Sequence, residues 1–179
     1  WAGSVTGGLW YNNDITNANS KWTQVSSLWS NITVSCMAWD PNTPGTAYIG
    51  TGEGYGTTSS SSRGFGIWKT TDSGKTWNQL SSTTTYYYVL DIAVRNENGS
   101  SVVYAAVDAN TFQGTLHGLS NYGLYRSTNG GSSWTNVISN APNGQKYSVA
   151  DIEIASDNRI WIGTRNNPYA GTDRGAGRI

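Results

Sequence analysis

The sequence predicts an all-β fold assembled from repeated four-stranded antiparallel units. Residues 70–77, Thr-Thr-Asp-Ser-Gly-Lys-Thr-Trp, and residues 127–134, Ser-Thr-Asn-Gly-Gly-Ser-Ser-Trp, spell one eight-residue turn twice, 57 residues apart. A turn recurring at that interval marks a repeated supersecondary unit. Apolar runs of 4 to 7 residues, rich in β-branched and aromatic side chains, lie between clusters of Gly, Asn, Asp, Ser and Pro; this is the punctuation of short strands. No window carries apolar residues at helical spacing through three turns.

The elements follow in order. Glycines 8, 66, 123 and 177 each open a short apolar segment, at intervals of 58, 57 and 54 residues, and these are the third strands of their units. Residues 1–4, 48–51, 104–107 and 161–164 form the second strands, and 34–39, 89–94 and 149–154 the first. A fourth strand leaves each turn, at 22–25, 77–80 and 134–138. Asp40-Pro41-Asn42 and Asn98-Gly99 supply turn chemistry between paired strands. The chain divides into units of about 1–32, 33–87, 88–147 and 148–179, all within one domain, 1–179. The first unit is degenerate: Asn13-Asp14 is followed by an insertion reaching Ser20, and Trp22 is expected to keep the position of Trp77 and Trp134.

Composition narrows the function classes. Only 12% of residues are charged, and eleven Lys plus Arg balance eleven Asp plus Glu, so no net field steers the chain to nucleic acid or anionic lipid. No apolar run approaches the ~18 residues of a membrane span. Cys36 is the sole cysteine, which excludes an internal disulfide and reads as a small core residue. His117 is the sole histidine and has no cysteine or second histidine to make a metal site; no metal or cofactor is expected. With no initiator Met, the chain is expected to start inside a longer precursor. Low charge with abundant Asn, Ser and Thr suits an extracellular or cell-surface protein.

Four-stranded units at this period are typically blades of a β-propeller. The turn resembles the Asp-box, or bacterial neuraminidase repeat, of sialidases, sortilin-type receptors, xyloglucan hydrolases and photosystem assembly factors. Its context, Tyr-Ile-Gly-Thr-Gly-Glu-Gly followed by Gly-Ile-Trp-Lys-Thr-Thr-Asp-Ser-Gly-Lys-Thr-Trp, is most similar to sortilin-like propellers of large secreted bacterial surface proteins, many of them type IX secretion cargo. The resemblance covers nearly the whole chain and implies a partial propeller of about three blades. The rest of the propeller, or other protein chains, would then cover the open ends. In the turn, Thr70, Asp72, Gly74 and Trp77, with Ser127, Asn129, Gly131 and Trp134, read as structural: the Asp or Asn accepts backbone N–H groups, the Gly supplies positive φ, and the Trp plugs neighbouring strands. One carboxylate per turn is too few oxygens for calcium.

Strand alternation places the loops between strands one and two on the face of these turns. The longer loops, 52–65, 108–122 and 165–176, lie opposite with the links between units. That face carries Trp29, Tyr55, Arg63, Phe65, Tyr86, Tyr87, Phe112, His117, Tyr122, Arg165, Tyr169 and Arg174, a set suited to stacking on sugar rings or gripping a peptide. Trp29, Tyr55, Arg63, Tyr87, Phe112, Tyr122, Arg165 and Tyr169 are the ligand-binding candidates. Gly52 to Gly56 is glycine-rich, but no helix follows to cradle a phosphate. Asp91 and Asp151 occupy equivalent first-strand positions, filled by Cys36 in the preceding unit. They are the candidate acid/base pair if the chain is a glycoside hydrolase, which needs two carboxyls roughly 5 to 9.5 Å apart. A recurring structural hydrogen bond explains the repetition as well. No Arg-Ile-Pro precedes the first unit, so the pattern expected of sialidases is incomplete. The sequence therefore favours a non-catalytic binding module for glycan or protein, with a xyloglucanase-like or sialidase-like hydrolase as the alternative.

Overall fold

The computed structural model describes residues 1–25, 33–55, 61–140, 144 and 146–165. They form fifteen strands and, among the described residues, no α-helix; a single 3-10 turn spans Ser81–Thr83. Strands β1 (Ala2–Ser4), β2 (Gly8–Tyr11) and β3 (Thr23–Gln24) make a three-stranded sheet. Strands β4 (Val34–Trp39), β5 (Ala47–Thr51), β6 (Ile67–Thr70) and β7 (Asn78–Gln79) make a four-stranded sheet in chain order. The next runs β8 (Tyr88–Glu97), β9 (Ser100–Asp108), β12 (Gly123–Ser127) and β13 (Thr135–Asn136), again each beside its chain neighbour once the excursion β10 (Asn110–Phe112) and β11 (Thr115–His117) is set aside. Strands β14 (Ser148–Ile154) and β15 (Ile160–Arg165) form a final pair. All pairing is antiparallel.

The β10–β11 hairpin falls where the sequence reading expected only a loop. Gln113 and Gly114 both take positive φ, 50° and 78°, between the paired Phe112 and Thr115. This is the mirror-image turn that suits a two-residue hairpin, written with Gln in place of the more recognisable Asn or Asp. The Asn98-Gly99 turn has the same geometry, with φ of 54° and 85°, and the Asn96 side chain accepts the Gly99 N–H at 2.8 Å.

The core explains why the sheets lie together in sequence order. One cluster joins Tyr48 and Ile67 to Val89, Ile92, Val94, Val103 and Val107. A second joins Leu90, Ala93, Val102, Tyr104 and Ala106 to Val149 and Ile152. Alternate side chains of β8 and β9 thus enter two different cores, so this sheet is buried on both faces. That is why these strands read as nearly continuous apolar runs rather than an apolar/polar alternation. A third cluster, Leu9, Val34, Ala47, Ile49 and Trp77, joins the first sheet to the second. Each fully buried Val or Ile contributes ~1.5–3 kcal/mol.

The first strands of successive sheets touch one another: β4 meets β8, and β8 meets β14, while β1 meets β4. All three of β4, β8 and β14 carry a register shift at the same place, between Val34 and Cys36, Val89 and Asp91, and Val149 and Asp151. A bulge bends its strand and re-aims the side chains beside it, and Cys36, Asp91 and Asp151 share that structural position.

The glycines that open third strands are required by their backbone. Gly8, Gly66 and Gly123 have φ of 74°, 74° and 137°, and a Cβ on Gly66 would sit 2.2 Å from the Thr83 carbonyl oxygen.

Candidate functional site

The two repeated turns close by the same hydrogen bonds. Thr70 Oγ1 accepts the Gly74 N–H at 2.9 Å and donates to Asp72 Oδ1 at 2.8 Å. Asp72 then accepts the Thr76 N–H at 2.9 Å and the Thr76 hydroxyl at 2.6 Å. In the second copy, Ser127 Oγ accepts the Gly131 N–H at 2.9 Å, and Asn129 Oδ1 accepts the Ser133 N–H at 3.0 Å. Both tryptophans donate Nε1–H back to the turn glycine carbonyl at 3.1 Å. The hydroxyl of Thr76, with its backbone N–H and the Thr70 hydroxyl, holds the Asp72 carboxyl down to about 2. Gly74 and Gly131 take φ of 84° and 92°. Trp77 is buried between the first and second sheets, and Trp134 packs against the Tyr48, Ile67 and Val89 cluster. Trp22 holds the same ladder position, one residue before the Tyr11–Thr23 pair, as Trp77 precedes Lys69–Asn78 and Trp134 precedes Arg126–Thr135. It is 47% exposed, since Trp77 and Trp134 pack on the preceding sheet and, among the described residues, no sheet precedes the first; Trp1 packs edge-on against Trp77, with ring centroids 6.2 Å apart.

The turns share their end of the molecule with the loops between first and second strands. The Ser73 N–H donates to the Gly45 carbonyl at 2.9 Å, and neighbouring loops are tied together by Asn42 to Ser101 and by Asn158 to Asn96. These bonds tie the turns and the neighbouring loops together, beside an aromatic cluster of Trp1, Tyr11 and Trp39.

Asp91 is a cross-link between sheets. Its Oδ1 accepts the Ile92 N–H at 2.8 Å and its Oδ2 accepts the Ile152 N–H of β14 at 2.7 Å. Burial holds its carboxyl above the ordinary carboxylate value against those two bonds, and the charges of Asp151 and Glu153 add to the rise. Asp151 itself is exposed. In the preceding sheet Ser35, beside Cys36, makes the corresponding link by donating its hydroxyl to the Val89 carbonyl. Burial, reinforced by the charge of Asp91, lifts the Cys36 thiol to about 12, so it behaves as a small apolar group.

Two groups of predicted residues meet on the loop-rich end. In the first, the Arg165 guanidinium bonds Asp108 Oδ2 at 2.6 Å and the Gly54 carbonyl at 2.7 Å, and lies 4.9 Å from the Tyr55 ring. The Tyr55 hydroxyl donates to the carbonyl of Ala150, the residue inside the β14 bulge, at 3.1 Å. Asp108, the last residue of β9, is wholly buried. In the second group, Arg63 Cζ lies 5.1 Å from the Tyr87 ring, 5.6 Å from Phe65 and 5.9 Å from Phe112. His117 meets Tyr87 edge-on at 5.2 Å.

Other candidates sit elsewhere. Tyr122 is 6% exposed, with Lys146 Nζ 5.6 Å from its ring, and Tyr86 is a core residue, tilted against Tyr125 and edge-on to Trp134. Trp29, Tyr169, Arg174 and the glycine-opened segment at 177–179 lie outside the described residues. Among the described residues, no three His, Cys, Asp or Glu side chains come together as a metal site would require, and no helix is long and apolar enough to cross a membrane.

Comparison with known proteins finds no family model that matches this chain and no curated protein that matches it.

Proposed function

We propose that the chain forms about three blades of a β-propeller and works outside the cell as a non-catalytic binding module, holding glycan or protein on its loop-rich face. Successive antiparallel sheets with touching first strands support the propeller, as do Asp-box-like turns that plug one sheet against the next with a tryptophan. The sortilin-like resemblance supports an extracellular setting and type IX export. An apolar cavity of about 630 Å³ between the β12–β13 side of one sheet and β15 of the final pair, lined by Leu124, Val137, Ile138, Tyr147, Ile160 and Ile162, together with the 56% exposure of Trp161, supports cover by the rest of the propeller or another chain.

The observation that carries the binding role is the gathering of Tyr87, Phe65 and Phe112 around one guanidinium, at the end where loops are long. Scaffold-mounted loops are the usual seat of binding. Pull-down of soluble glycans and surface proteins by the intact protein tests the reading. Ligand capture should fail with Phe65→Ala or Tyr87→Ala and survive Asp72→Asn on the opposite end; the reverse pattern would contradict it.

One observation favours the hydrolase alternative: the Asp91 carboxyl is held above its ordinary value by burial and by the charge of Asp151, as a general acid requires. Turnover of xyloglucan, glucans or sialosides that disappears in Asp91→Asn or Asp151→Asn, without loss of folding, would establish it.

A further inference from the structure

We infer that the cleft beside Arg63 is a subsite for an acidic sugar, a uronate-type residue whose carboxylate pairs with the guanidinium; this rests on the glycan-binding reading above. The cleft has a volume of about 380 Å³ and is lined by Val5, Thr6, Thr33, Ser62, Arg63, Phe65 and Phe112, within the ~300–1,000 Å³ range of small-ligand sites.

Its chemistry points to an anion. Among the described residues Arg63 makes no ion pair, whereas Arg95, Arg126, Arg159 and Arg165 each hold a carboxylate. The rings of Tyr87, Phe65 and Phe112 lie against it, and such stacking pre-orients the planar fork for a bidentate acceptor. A guanidinium held this way loses less freedom on binding than one on an unrestrained stem.

The rest of the lining points to a sugar. Phe65 is 43% exposed and can offer its face to the C–H side of a pyranose, while Thr6 and Ser62 supply hydroxyls at the wall. Among the described residues no second cation lines the cleft, which suits one carboxylate better than a doubly charged phosphate. The frame is rigid. The Phe65 N–H donates to Thr51 Oγ1 at 2.7 Å, its carbonyl accepts Gln79 Nε2 at 2.7 Å, and the Gly64 N–H bonds the Tyr87 carbonyl at 2.8 Å. Ser61 donates its hydroxyl to the Thr111 carbonyl.

Titration of the intact protein with oligogalacturonate, its carboxyl-reduced galactan counterpart, neutral cello-oligosaccharides and poly-glutamate tests the assignment. The acidic oligosaccharide should bind, with about tenfold or greater loss on carboxyl reduction, in Arg63→Gln, and in Arg63→Lys, the last retaining the wild-type melting curve. Phe65→Ala should weaken every sugar that binds. Equal binding of acidic and neutral sugars, unaffected by Arg63→Lys, would overturn the carboxylate subsite and leave the glycan-binding reading standing. Poly-glutamate binding through Arg63 in place of sugar would overturn the sugar assignment and favour a peptide ligand. Failure of all four probes would overturn the subsite and count against the glycan reading with it.

Discussion

Replacing Asp91 by alanine should weaken the junction between the sheets that contain β8 and β14. The wild-type carboxylate satisfies two backbone donors, the N–H groups of Ile92 and Ile152, whose residues are 4% and 5% exposed. A buried donor left without a partner costs ~1–3 kcal/mol. Two of them exceed the relief of no longer burying a carboxylate, so the net loss is about 1–3 kcal/mol. Asp91→Asn keeps one acceptor but turns an amide NH₂ toward the other donor, and should lose about 1 kcal/mol. The sign with pH is fixed by the raised carboxyl. The folded state holds that proton more tightly than the unfolded chain, so this contribution is fully present below about pH 4 and is lost as pH rises through the folded value. The Asp91→Asn deficit should therefore be larger near pH 3 than near pH 7. Urea unfolding followed by two probes measures the free energy, and native-state hydrogen exchange reads the Ile152 amide directly. An Ile152 amide as protected in Asp91→Ala as in wild type, with a stability change under about 0.5 kcal/mol, would refute the cross-link. Lost turnover at unchanged stability would move Asp91 to the catalytic reading.

Three further outcomes follow from the turns and from a third-strand glycine. Thr70→Val removes the acceptor of the buried Gly74 N–H and should cost ~1–3 kcal/mol in urea unfolding, whereas Thr70→Ser, the residue found at 127, should keep most of it; equal losses would show that the hydroxyl bond contributes nothing. Because the Asp72 carboxyl is held down to about 2, its share of stability is present above about pH 4 and disappears as pH falls through that value. Acid titration of Asp72→Asn should lack this component, and an unchanged acid limb would contradict the bonding described. Gly66→Ala must carry a side chain at φ of 74° into the Thr83 carbonyl and should lose about 1–3 kcal/mol or more in a thermal melt; a neutral result would mean that the third-strand glycine is dispensable.

The strands were legible because their signal is local. Val34 to Trp39 was readable to the residue, since Asp40-Pro41 stops it sharply and the apolar run starts it. The fourth strands were over-read: 77–80 and 134–138 shorten to Asn78–Gln79 and Thr135–Asn136, because Trp77 and Trp134 serve the turn and the core rather than the ladder. Trp22 keeps the ladder position of Trp77 and Trp134 despite the inserted loop, but its exposure could not be read from the residue type, because burial depends on a neighbouring sheet. The β10–β11 hairpin was missed because Gln113-Gly114 is a weak form of a turn that depends on positive φ.

The candidate site was half legible. Aromatic and ionisable residues in long loops marked the end of the molecule where Tyr87, Phe65 and Phe112 gather around Arg63, yet sequence alone could not separate Tyr122, 6% exposed, from Phe65, 43% exposed. Nor could it show that Asp91 spends both oxygens on backbone donors, because the second donor belongs to a strand 61 residues away. Asp108 was overlooked although Val107-Asp108 places a carboxylate at the end of an apolar strand, a position that calls for a buried partner. Its partner, Arg165, lies 57 residues on.

A crystal structure of the full-length protein decides the matter most directly. Its sheets should radiate from one axis with β4, β8 and β14 innermost, and the Asp72 and Asn129 turns should lie together at the end opposite Arg63 and Phe65. Two sheets stacked face to face as a sandwich, or those turns at opposite ends, would contradict it.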